Sequence, residues 1–168
     1  AEAHTLDRVI CCAGILKDAT IAPEKRIADI DAAALLYAYQ VNAMGPILLA
    51  KALWPALRGE HKLHFASLSA RVGSISDNNL GGWYAYRASK AAQNQLMRTM
   101  SIELARYNAN ACVATLHPGT VDTSLSKPFQ AQVNPAKLFT PDYSADRLWA
   151  VLGGLTPANT GGFFAFDG

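Results

Sequence analysis

Neither sign of charge dominates this chain: 15 basic residues stand against 13 acidic ones across 168 positions. The basic residues are scattered, so no nucleic-acid or anionic-membrane surface is expected. Cysteine is scarce, with three residues (Cys11, Cys12, Cys112) in apolar, strand-like segments. An odd count without a framework excludes a disulfide-stapled secreted module. It reads instead as thiols in a reducing compartment, which predicts the cytoplasm. No Cys/His cluster has ligand spacing, so no metal site is expected. Repeats, low-complexity tracts and linkers are missing too. The opening Ala1-Glu2-Ala3-His4 has neither a basic n-region nor an apolar core, so it does not read as a signal peptide.

What is present is 51% hydrophobic, enough for one core and not comfortably for two, so residues 1–168 are read as a single domain. The run from Ala32 to Ala50 carries no charge and approaches a membrane-spanning length. It includes Gln40, Asn42, Gly45 and Pro46, and charge resumes at Lys51. A helix that is apolar nearly all round is buried either in lipid or in protein, and burial in protein is expected here.

The apolar patterning alternates. Arg8 to Cys12 reads as a strand ending at Ala13-Gly14, and a long helix follows from about Asp31 to Leu57, bent by Pro46. Leu63 to Leu68 is the next strand, and Trp83 to about Tyr107 a second long helix after the turn-rich Ser76 to Gly82. Ala111 to Leu116 is a strand, and Pro118 to Phe139 a polar, proline-containing loop. Thr140-Pro141-Asp142 opens a third helix with a cap residue and proline in its first turn. That helix ends near Gly153-Gly154, and Gly162 to Phe166 is the last strand. The order β-α-β-α-β-α-β predicts an α/β fold, a doubly wound parallel sheet covered on both faces. Ligands of such sheets bind beyond the carboxyl ends of the strands. Ala13-Gly14, Ser67 to Ser74 and Pro118 to Thr123 all follow strand ends and therefore gather at one edge.

Within the second long helix, Tyr86-Arg87-Ala88-Ser89-Lys90 sets a phenol and an ammonium one turn apart on one face. A nearby cation favours the phenolate, which suits an acid that exchanges a proton with an oxygen. The spacing alone favours a solvated tyrosine beside a lysine. Its context is Asn42 in Val41-Asn42-Ala43-Met44-Gly45-Pro46, the serine-rich Ser67 to Ser74, and His117-Pro118-Gly119-Thr120-Val121-Asp122-Thr123. This ordered set resembles the short-chain dehydrogenase/reductase family over almost the whole chain. Gly73-Ser74-Ile75 and the run from Gly81 to Ala92 are similar to its C-factor and sniffer-type carbonyl reductase branch.

The resemblance implies a Rossmann-like fold and hydride transfer between NADP or NAD and a small carbonyl or alcohol substrate. It implies that Tyr86 exchanges the proton with the substrate oxygen and that Lys90 lowers the tyrosine pKa and bonds the nicotinamide ribose. Asn42 would hold a water linking Lys90 to solvent, or else be a helical Asn satisfied by backbone. Ala13 and Gly14 would let the dinucleotide approach, and Pro118, Gly119, Thr120, Val121 and Thr123 would wrap the nicotinamide. The two long helices resemble a four-helix dimer interface, which predicts a homodimer or homotetramer.

Three departures bear on this. The family's Thr-Gly-x-x-x-Gly-x-Gly turn does not occur, the first glycine being Gly14, so the chain is expected to be the carboxyl-terminal two-thirds or so of a reductase. Alone, these residues would expose the Arg8–Cys12 edge, dissolve poorly and not retain dinucleotide. Cys11-Cys12 replaces the usual Asn-Asn. Ala70 stands where the family has its substrate-orienting serine, leaving Ser69 as the first substitute and Ser74 as the other. Tyr84 is expected at a substrate entrance or in packing, and His117 is expected to be a strand-end histidine bonded to backbone. A catalytically weak scaffold for binding or signalling is the alternative function, and an assembly surface a third.

Overall fold

The computed structural model describes residues 5–168, and Ala1 to His4, with the expectation about a leader, lie outside the described residues. Four parallel strands form the central sheet in the order β1-β2-β3-β6: β1 is Arg8–Cys11, β2 Leu63–Leu68, β3 Ala111–His117 and β6 Gly162–Ala165. Register runs through Arg8 opposite His64, Leu63 opposite Ala111 and Ala114 opposite Gly162. Helices α1 (Ala32–Tyr39), α2 (Gly45–Leu57), α3 (Tyr84–Leu104) and α4 (Pro141–Gly154) alternate with these strands.

Side-chain alternation along β3 divides the core in two. Ala111 and Val113 join Phe65, Leu57, Met97 and Leu104 on the face packed by α2 and α3. Cys112, Ala114 and Leu116 join Leu152 and Leu155 on the face packed by α4. The sheet is therefore covered on both sides, as the alternating pattern requires. Edge strand β1 is thinner in its cover: Ile10 is 39% exposed, and the Arg8 guanidinium lies 4.4 Å over the Trp149 ring.

Three features depart from the sequence reading. The long helix is not bent by proline alone: residues Gln40–Met44 wind as a π-turn, with Gly45 N–H donating to the Gln40 carbonyl. One extra residue is wound in there, and Pro46, at the start of α2, has no N–H to return to the Asn42 carbonyl. The loop after β3 also contains a two-stranded parallel pair, β4 (Thr120–Val121) with β5 (Leu138–Phe139), too short to leave a periodic trace.

The uncharged helix is also less covered by its own chain than its composition suggests. Ala32–Leu57 is long and apolar enough by length and composition to cross a membrane, and only 22% of its most apolar window is buried. Leu36, Tyr39 and Leu48 are exposed on it.

Candidate active site

Gly14, Asn42 and Lys90 converge from three elements. A Cβ added to Gly14 would sit 3.5 Å from both the Asn42 Oδ1 and the Lys90 Nζ, so a bare residue there leaves the approach to the ammonium open. Asn42 is fully buried and clamps the chain after β1: its Oδ1 accepts from Ile15 N–H at 2.7 Å, and its Nδ2 donates to the Ile15 carbonyl at 2.8 Å. The same Nδ2 reaches Ser89 Oγ at 2.9 Å, and Ser89 in turn donates to the Tyr86 carbonyl. The Asn42 amide is thus spent on the segment after Gly14 and on α3, not on its own helix.

Lys90 is docked on the sheet. Its Nζ donates to the Leu68 carbonyl at 2.8 Å and to Gln93 Oε1 at 2.9 Å, while Gln93 Nε2 donates to Ser67 Oγ and to the Leu68 carbonyl. The ammonium lies 5.8 Å from the Tyr86 ring centroid. Phenol and amine therefore share a helix face, but they do not bond each other. Burial accordingly pushes the Tyr86 phenol up to about 12, and burial brings Lys90 down to about 8 against the opposing influence of Cys11. An acidified phenol, expected from the spacing, is not what this arrangement produces, because desolvation outweighs a cation anchored elsewhere.

A cavity of about 1,080 Å³ opens at the carboxyl ends of the strands. Tyr86, Lys90, Ser69, Ala13, Gly14, Pro118, Gly119, Thr120, Val121 and Thr123 all line it, with Cys12, Ala70 and His117. Asn42 stands behind this wall rather than in it. Gly119, at φ +78°, is held by geometry: a Cβ would meet the Phe139 ring at 2.6 Å. The Pro118 carbonyl accepts from Ser144 Oγ at 2.8 Å, which ties the loop to α4. Outside the cavity lining, Gly73 packs so closely on α3 that a Cβ would sit 2.9 Å from the Lys90 backbone.

The serine candidates separate. Ser74 is engaged with Ser76 and the Asp77 N–H, away from the cavity. Ser69 contacts the cavity, but it is 4% exposed and its hydroxyl donates to Asn94 Oδ1 at 2.6 Å. Its proton is committed to α3, so neither serine supplies a free donor at the Ala70 position. Tyr84 is 38% exposed at the start of α3. The cysteines are all free thiols, Cys11 and Cys112 buried and Cys12 exposed.

His117 differs from expectation: its buried Nδ1 has no hydrogen-bond partner, and its ring stacks at 15° on Phe163. Burial, with Arg71 nearby, brings it down to about 4. Between pH 6.5 and 4 the unfolded chain binds a proton that the native imidazole refuses, so stability falls as pH falls through that window. A urea-denaturation midpoint that drops from pH 6.5 to 4.5, with a shallower drop in His117→Phe, is the expected result; equal slopes would contradict it.

The family profile described as short chain dehydrogenase matches residues 1–134. With this parallel sheet and this cavity, the chain belongs to the short-chain dehydrogenase family. Among its relatives, C-signal of Myxococcus xanthus is 36% identical, over 84% of this chain and 80% of that protein. The NADPH-bound carbonyl reductase from chicken fatty liver superposes with a TM-score of 0.84 at 27% identity, and the carbonyl reductase Sniffer of D. melanogaster with 0.83 at 27%. Both superpositions cover 99% of this chain and 66% of the other. The chain spans about half the length of several other curated relatives, 54% in four cases.

Proposed function

We propose that this protein is an NAD(P)H-dependent reductase of small carbonyl compounds, working in reverse on alcohols. The observation that carries this reading is the single cavity lined by Tyr86, Lys90, Gly14 and the Pro118–Thr123 segment together. The residues present fit the nicotinamide half of a dinucleotide: Gly14 is bare beside the Lys90 Nζ, and Gly119 admits no side chain. The dinucleotide, when bound, supplies the hydride. Lys90, Gly14 and the 118–123 segment hold and orient it, with Thr120, Val121 and Thr123 on the same wall.

Tyr86 supplies the proton. A phenol near 12 is fully protonated at neutral pH and so is loaded as a donor to the carbonyl oxygen. Lys90, near 8, is mostly charged there and stabilises the oxygen's developing charge. Asn42 positions both sides: it fixes Ile15 after Gly14 and, through Ser89, the Tyr86 turn of α3. The Asn42 carbonyl, which Pro46 cannot serve, is the group we assign to holding a water between Lys90 and solvent. Ser69 we assign to orienting the site through Asn94.

A catalytically weak scaffold is the second reading, favoured by one observation: Ala70 and the committed Ser69 leave no serine donor for the substrate. The exposed apolar residues of α1 and α2 support assembly into a homodimer or homotetramer, and the three free thiols support a reducing compartment, the cytoplasm. Nicotinamide-fluorescence titration of the full-length protein, followed by NADPH and NADH oxidation across aromatic and aliphatic carbonyls, tests the first reading. Dinucleotide binding with turnover is expected; binding without turnover on any carbonyl would establish the scaffold. Sedimentation of the same preparation reads the assembly, and a monomer at micromolar concentration would refute it.

A further inference from the structure

Helix α3 starts without a cap of its own. Trp83, its N-cap residue, is left-handed at φ 54° and makes no side-chain capping bond, and the first turn contains no acidic residue. The first N–H groups of a helix must nevertheless find acceptors, and a negative charge at that end is favourable. Here the acceptors come from one distant residue, 61 positions before Ala85. The Glu24 carbonyl accepts from Trp83 N–H at 2.6 Å, and the Glu24 Oε2 accepts from Ala85 N–H at 3.2 Å. Glu24 is 5% exposed, and its Oε1 is buried without a partner. A carboxylate in that setting is costly to keep unless the bonds it makes are needed. The fit is close: Gly82, at φ +65°, would bring a Cβ within 3.4 Å of the Glu24 carbonyl.

Tyr86 is one residue beyond Ala85, and the Trp83 ring packs edge-on to the Tyr86 ring at 6.2 Å. The two neighbours of Glu24 in the chain, Pro23 and Lys25, line the same cavity as Tyr86. The geometry points to Glu24 as a positioning residue for catalysis: a cap supplied from the loop after β1 that sets where α3 begins and hence where the Tyr86 hydroxyl stands. This inference rests on the reading of Tyr86 as the proton donor. It gives the loop between β1 and α1 a part in the proton step, although Glu24 itself does not line the cavity.

The test compares Glu24→Ala, Glu24→Gln and Tyr86→Phe in the full-length protein, each checked for wild-type circular dichroism. Misplacing a reacting group by about an ångström costs up to about 10²-fold, so Glu24→Ala is expected to lower kcat by about 30-fold. Dinucleotide affinity and KM should stay within about twofold, because the binding wall is not what moves. Glu24→Gln, which keeps an acceptor oxygen, should recover kcat to within about threefold of wild type. Unchanged kcat in Glu24→Ala would overturn the proposal, as would a Gln variant as slow as Ala or a parallel loss of dinucleotide affinity. Should Glu24→Ala not fold, Glu24→Asp decides instead: a carboxylate one methylene too short must also lower kcat, and wild-type turnover there overturns the idea. Loss of activity in Tyr86→Phe alongside an unaffected Glu24→Ala would sink only the positioning role. Full activity in Tyr86→Phe would sink the reading of the site itself.

Discussion

Tyr86→Phe is expected to lower kcat/KM for carbonyl reduction by about 10³-fold while leaving dinucleotide binding intact. General acid catalysis by a positioned group contributes about 10²–10⁴-fold, and the arrangement here concentrates that contribution on one hydroxyl. Ala70 has none, the Ser69 proton is held by Asn94, and Ser74 faces Ser76 and Asp77. Phenylalanine keeps the ring and its edge-on packing against Trp83, so the loss should appear in turnover and not in the unfolding transition. Steady-state kinetics with a dinucleotide fluorescence titration separates the two. Retained turnover would show that another group, or water, delivers the proton.

Lys90→Met should have the next largest effect, about 10²-fold in kcat, with only a small loss of stability. Two opposing terms decide the second part. The wild-type ammonium makes two charge-assisted hydrogen bonds, to Leu68 and Gln93, each worth about 1.5–3 kcal/mol. Against them stands burial: a shift from 10.5 to about 8 corresponds to about 3 kcal/mol disfavouring the charged form. Methionine loses the bonds and is freed of the desolvation, and the apolar stem is retained. The net loss is about 0–3 kcal/mol, which for a chain of this size lowers the melting temperature by at most about 12 °C. Because the native lysine sheds its proton more readily than the unfolded one, its contribution to stability grows as pH rises from 8 to 10.5. The variant should lack that rise. Collapse of the fold at neutral pH would refute this accounting.

What local pattern encodes was readable in the chain, and what depends on distant partners was not. The strand at Leu63 to Leu68, the helix bearing Tyr86 and the Thr140-Pro141 start of α4 all follow from periodicity and cap chemistry, down to Thr140 accepting from Tyr143 N–H. The gathering of Gly14, Tyr86 and the Pro118–Thr123 segment follows from topology, since strand ends in a parallel sheet share an edge. The π-turn around Asn42 escaped because one extra residue in an already apolar helix changes no pattern that composition can register. Strands β4 and β5 escaped because two residues have no period. The direction of the Tyr86 shift was misread for a different reason. Sequence spacing states that two side chains share a face, but whether an ammonium turns toward its neighbour or toward a strand carbonyl is decided by Leu68 and Gln93. Glu24 is the extreme case: nothing near it in the chain marks it as the cap of a helix 61 residues on.

Gly73 touches the Lys90 main chain so tightly that even one methyl has nowhere to go. The turn from Ala70 to Gly73 and the tyrosine-bearing helix must therefore shift as one body, like a latch seated against its plate. Recoding the surrounding turn to retune substrate choice is open to an engineer so long as that one position stays bare. Any side chain there would pry the amine from its seat on the sheet before it altered what the cavity admits.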